Sequence, residues 1–71
     1  MVAERKLHNR LKEIRNTRQL TQADLAEMVG VSRKTINTVE NGIFVPSTVL
    51  ALNLATALNL RVEDIFYLGE M

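Results

Sequence analysis

Apolar residues recur along this chain at spacings of three and four, and the breaks between them carry residues that start and stop helices. Leu7, Leu11 and Ile14 form one apolar stripe and predict a first helix over about 4–17, beginning near Glu4, with Leu20 packing just beyond its end. Leu25, Ala26 and Val29 point inward on a second helix over about 22–29, and Ile36 and Val39 on a third over about 33–41, which Gly42 stops. Ala51, Leu54, Ala55 and Leu58 make the main stripe of a fourth helix over about 48–58. Ile65 and Phe66 point inward on a short fifth helix over about 62–68, followed by Gly69. No stretch shows strand-type alternation bounded by hairpin turns. The pattern predicts an all-α fold of five helices.

The helix boundaries have a chemical basis. Thr21 is placed as an N-cap with Asp24 three residues on, the spacing of a capping box, and Leu20 and Leu25 stand at hydrophobic-staple spacing around it. Ser32 repeats the arrangement, with Val31 and Ile36 as the staple. Between the two helices lies Gly30, which can adopt the positive φ that ends a helix. The stretch 21–42 therefore reads as helix, tight glycine turn, helix. Pro46 disfavours helix at Val45 and leads into Ser47, a good N-cap, while Asn59 can take the left-handed conformation that closes the fourth helix.

Seventy-one residues are expected to form one domain, 1–71, with its core over about 5–68. A chain this short buries only about 60% of its unfolded surface. It has no cysteine and no metal-ligand cluster in its sequence, so helix packing must hold it, with help from a partner chain where one exists. No cofactor or metal is implied. No apolar run approaches the ~20 residues of a membrane span, and the charged N-terminus lacks the apolar core of a signal peptide. A cytoplasmic protein without a membrane partner is the expectation. The net charge is only +1, but it is unevenly spread. Up to Gly42 there are eight basic residues against five acids, and after it one against three. The first part suits an anionic partner and the last does not.

On a helical wheel Arg33, Lys34, Asn37, Thr38 and Asn41 fall on the side of the third helix away from Ile36 and Val39. Arg or Lys matches guanine O6 and N7, Asn matches adenine N6 and N7, and Thr offers a hydroxyl or a methyl to thymine. The start of the second helix, around Thr21, Gln22 and Ala23, offers free N–H groups and a positive dipole end suited to phosphate. The same cations on an isolated helix would be an ordinary solvated face; the helix-turn-helix context is what turns them towards DNA. Asn37 stays open between base contact and solvent. His8, alone on the first helix, is expected at the surface. Glu63 and Asp64 are an acidic first turn that favours the helix dipole. No nucleophile with a base and no phosphate-cradling glycine loop is present, so an enzyme is not expected. Val49, Leu52, Phe44, Tyr67 and Leu68 lie off the main stripes. They are either core or scattered surface hydrophobes, or a dimer interface. Within that interface Val49, Leu52, Tyr67 and Leu68 are the candidates.

The stretch LTQADLAEMVGVSRKTINTVENG resembles the Cro/CI-type helix-turn-helix, the XRE family of repressors. LTQ, LA, VGVS and ENG occur together at the family's spacing, and VPSTVLALNLATALNLRVEDIF looks like its fourth and fifth helices. The resemblance implies a lambda-repressor-like DNA-binding domain. It implies that Gln22 contacts a phosphate and braces the recognition helix. Arg33, Lys34 and Thr38 take base-reading positions, with Ser32 and Asn37 on the same DNA-facing surface, and Asn41 bonds the phosphate backbone. It also implies an internal salt bridge between Arg15 and Glu40. Two departures are Arg61 where a Ser or Thr cap is usual, and Val49 where a charge is frequent. The expected function is a sequence-specific DNA-binding transcriptional regulator, a repressor, that binds double-stranded DNA as a homodimer. An antitoxin of a toxin–antitoxin pair and a protein-interaction adaptor on the same fold are the alternatives.

Overall fold

The computed structural model describes residues 5–69. In chain order the elements are β1 (Lys6–Asn9), α1 (Leu11–Thr17), α2 (Gln22–Val29), α3 (Arg33–Glu40), α4 (Thr48–Leu58), α5 (Val62–Ile65) and β2 (Phe66–Gly69). Five helices are present, but the fold is not purely α. β1 and β2 pair antiparallel, with Leu7 opposite Leu68 and Asn9 opposite Phe66.

This sheet corrects the two outer helices. Glu4 lies outside the described residues, and Lys6–Asn9 is a strand, so α1 begins only at Leu11. Leu7 fits the helical stripe and also the inward position of a short strand, and four residues cannot separate the two periods. Asn9 decides the matter. Its Oδ1 accepts from Leu11 N at 3.0 Å and its Nδ2 donates to Val39 O at 3.0 Å, so it opens α1 and cannot continue it backwards. Arg10 N donates to Ile65 O at 2.8 Å, which joins the two ends of the sheet to α5. At the other end Phe66 is extended, with φ −112° and ψ 142°, and α5 stops at Ile65. Tyr67 and Leu68 are therefore strand residues, and they point to opposite faces.

The core is built between the helices. Leu11, Leu25, Ile36, Leu54, Leu58 and Ile65 are fully buried. In α4 the buried row is Leu50, Leu54 and Leu58, with Ala55 beside it; Ala51 is only half-buried, so the stripe is turned slightly from the one expected. Phe66 seats β2 on this core, which a two-stranded ribbon needs for stability. Among the described residues no helix is long and apolar enough to cross a membrane.

Candidate nucleic-acid interface

The α2–turn–α3 unit is fixed by local chemistry. Thr21 Oγ1 accepts from Asp24 N and the Asp24 carboxylate accepts from Thr21 N, both at 2.9 Å, which completes a capping box. The bond from the Thr21 N–H, and after it the nearby Thr21 side chain, hold the Asp24 carboxyl below the usual carboxylate range. Gly30 ends α2 at φ +75°. A Cβ there would meet nothing within 4 Å, so the glycine serves the backbone angle and not space. Ser32 Oγ then accepts from Thr35 N at 3.1 Å and starts α3.

The far end of α3 is anchored in the interior. Arg15 Nε donates to Glu40 Oε2 at 2.6 Å and Arg15 Nη2 to Oε1 at 3.1 Å, a two-point pair whose side chains are 10% and 2% exposed. Gln22 Nε2 donates to the same Oε1 at 3.1 Å, and Arg15 Nη1 donates to Leu20 O at 2.9 Å. The hydrogen bond to Glu40 raises the Arg15 pKa against the opposing effect of burial. One carboxylate thus ties α1, the start of α2 and the end of α3 together. No buried side-chain nitrogen or oxygen among the described residues lacks a partner.

With its inner side held, α3 turns the other side outward. Arg33, Lys34, Asn37 and Asn41 are exposed, and Thr38 is half-buried. Arg33 and Lys34 have no carboxylate within ion-pair distance among the described residues. Thr38 Oγ1 donates to Thr35 O at 2.9 Å, so its hydroxyl hydrogen is already used and its methyl is what remains to offer. Asn41 Nδ2 donates to Asn37 O at 2.9 Å and approaches Asn37 Oδ1 at 3.3 Å, linking the two amides at the helix end. Ser32 is exposed, with its oxygen committed to the cap.

Beside this face, a cleft of about 630 Å³ is lined by Arg15, Asn16, Gln19, Leu20, Thr21, Gln22, Ala23 and Arg33. It opens at the first turn of α2, where helix geometry leaves the N–H groups of Gln22 and Ala23 without an intrahelical acceptor. An anion in the cleft would meet those groups and the Arg33 guanidinium.

The four residues weighed as an interface lie elsewhere. Val49, Leu52, Tyr67 and Leu68 are 68%, 53%, 40% and 57% exposed. Val49 and Leu52 are on α4, and Leu52 borders an apolar groove of about 440 Å³ formed with Leu7, Pro46, Ala51, Val62 and Phe66. Leu68 shares the sheet face of its partner Leu7, on the groove side, whereas Tyr67 stands on the opposite face.

Two positioning residues had no role in the sequence reading. Asn9 bonds the carbonyl of Val39 on α3, and its signal was an Asn two residues before the first buried leucine. Arg18 Nη1 donates to Leu58 O at 2.6 Å, across 40 residues of sequence, and no local pattern announces it.

A sequence profile described as helix-turn-helix matches residues 11–65. An uncharacterized helix-turn-helix transcriptional regulator of Bacillus subtilis, YgzD, is 41% identical over 64 residues, covering 90% of this chain and 97% of that one. A second, from Methanocaldococcus jannaschii, is 45% identical over 60 residues, covering 84% and 91%. Among solved structures, the restriction-modification controller protein C.AhdI from Aeromonas hydrophila is similar with a TM-score of 0.74 and 38% identity, covering 78% of this chain and 83% of its own. The P22 c2 repressor protein in complex with a synthetic operator is similar with a TM-score of 0.73 and 31% identity, covering 76% and 82%.

Proposed function

The chain belongs to the helix-turn-helix family of transcriptional regulators, and from that premise we propose that it is a repressor that binds duplex DNA as a homodimer with α3 in the major groove. The observation that carries this reading is the contrast between the two sides of α3. Ile36 and Val39 are buried and Glu40 is bonded by two other elements, while Arg33, Lys34 and Asn37 stand exposed. A rigidly held helix with free donors on its outer side can read base edges without first being ordered. Arg33 and Lys34, in the first turn, reach for guanine O6 and N7; Asn37 is placed for adenine and the Thr38 methyl for thymine. Asn41 and Gln22 flank this row and take phosphates, Gln22 together with the free amides at the start of α2, while Ser32, its oxygen committed to the cap, borders the DNA-facing surface. The protein acts by binding and not by catalysis.

One such helix reads too few base pairs to find a site in a genome. Two copies on a two-fold axis place two helices about 34 Å apart in successive major grooves. The groove edged by Leu52, with Val49 and Leu68 near it, is the surface we assign to the second copy. Tyr67, on the opposite face of β2, is left out of that surface.

Selection of bound sequences from a random duplex library tests both parts. The expected result is a near-palindrome whose half-sites are about one helical turn apart. Sedimentation at micromolar concentration is expected to give a dimer for the native chain and a monomer for Leu68→Glu. Enrichment of a single, asymmetric half-site by a monomeric chain would refute the dimer. Failure to enrich any sequence would refute sequence-specific binding.

A further inference from the structure

A hollow of about 160 Å³ separates β1 from the end of α3, with Lys6, His8 and Asn9 on one side and Glu40, Asn41 and Gly42 on the other. The strand side of this hollow leads onto the outer face of the sheet. Lys6 pairs with Gly69 and His8 with Tyr67, so these four share a face, opposite the one on which Leu7 and Phe66 meet the core. His8, expected on the surface of a helix, is a half-buried strand residue whose ring stacks on Tyr67, centroids 5.5 Å apart and planes 20° from parallel. The Arg10 guanidinium lies over the same tyrosine ring, 4.3 Å from its centroid. Gly69 makes room for the histidine, because a Cβ there would stand 2.5 Å from His8 Cδ2.

Among the described residues the charges on this face lack ion-pair partners. Lys6 and Arg10 are exposed, and neither has a carboxylate within ion-pair distance among the described residues. Among the described residues the acid lining the hollow is Glu40, and Arg15 and Gln22 already occupy it. Arg10 is ordered by an aromatic face, which uses none of its five N–H donors. Two exposed cations, Arg10 seated on the Tyr67 ring and Lys6 lining the hollow opposite Asn41, suit a repeating anion that continues past the end of α3. Duplex DNA supplies one in its phosphate backbone.

We propose that the outer face of the β1–β2 sheet is a second contact for the DNA backbone, with Lys6 and Arg10 each taking a phosphate and Tyr67 and His8 forming the platform that positions Arg10. The proposal rests on the DNA-binding reading of α3 and extends it to a surface outside the helix-turn-helix. Its effect is on affinity and register, not on base preference.

Phosphate contacts act on any sequence, so no operator is needed for the test. The probe is a fluorescein-labelled duplex of mixed sequence, about 30 base pairs or three helical turns long, titrated across a salt series by anisotropy. Lys6→Gln and Arg10→Gln are each expected to weaken binding several-fold at about 0.1 M salt and to lower the slope of log K against log salt by about 1. Arg61→Gln removes the same charge at the start of α5, outside this face, and is expected to leave the slope unchanged. Lys6 is exposed on its strand, so Lys6→Gln decides the matter if Arg10→Gln melts early. A native slope in Lys6→Gln, or a fall matched by Arg61→Gln, would overturn the second contact while DNA binding stands. A native chain that binds no duplex at any salt would overturn DNA binding itself, and this proposal with it.

Discussion

Glu40 is the residue on which the interface depends most, although it is not placed to touch DNA. Its two oxygens receive Arg15 and Gln22, and its side chain is 2% exposed. A buried pair of this kind adds little over a well-packed apolar pair, but breaking it leaves an uncompensated charge. Glu40→Ala would leave the Arg15 guanidinium 10% exposed with no carboxylate partner. We expect a loss of about 3 kcal/mol. In a domain this small that lowers the melting temperature by more than about 10 °C. Binding to DNA should weaken with it, because α3 loses its anchor. Calorimetry checks the first, and a melting temperature within about 2 °C of native would reduce the pair to the worth of an exposed one. The spacing of Arg15 and Glu40, 25 residues apart, carries no local signal, and only the family resemblance brought the two together. Asn9 and Arg18, whose partners are 30 and 40 residues away, had no such guide.

Elements were legible where their ends are written locally. Thr21 with Asp24, Gly30, Ser32, Ser47 and Asn59 all act within a turn of their own position, and α2 and α4 run over the expected residues. β1 and β2 were missed for the opposite reason, since each is four residues long and its only partner is the other. The caps also make the fold sensitive to acid. The Asp24 carboxylate accepts from the N–H of Thr21, and Asp64 accepts from the N–H of Arg61 and from its guanidinium. Both carboxyls are held below their ordinary range, chiefly by the backbone bond. Each therefore stabilises the fold fully above the unfolded value near about 4, and that contribution is lost as pH falls through the lowered folded value. The melting temperature is expected to fall between about pH 5 and pH 2, and to fall less steeply in an Asp24→Asn, Asp64→Asn double variant. Parallel curves for the two proteins would show that the caps do not set the acid limit.

Among the described residues, Arg33 and Lys34 on α3 and Lys6 and Arg10 at the outer sheet face have no ion-pair partner, while the exposed Leu52 edges the apolar groove beside α4. The sheet lies between these two regions, and its pairing of Lys6 with Gly69 makes the described chain a ring of about sixty residues. Closing a flexible ring of that size costs about 4 kcal/mol of chain entropy. Four residue pairs of a two-stranded ribbon do not return that much by themselves. The helices must therefore bring the ends together before the ribbon can form, which makes it late to fold and early to open. Hydrogen exchange should find the paired amides of β1 and β2 opening at a lower free energy than those of Leu54 and Leu58 in α4. Equal protection would mean that ribbon and helices open as one unit. If the ribbon does open first, Lys6, His8 and Arg10 lose their common platform while α3 is still intact, so the chain could keep α3 in partly unfolded states that have already let go of the ring.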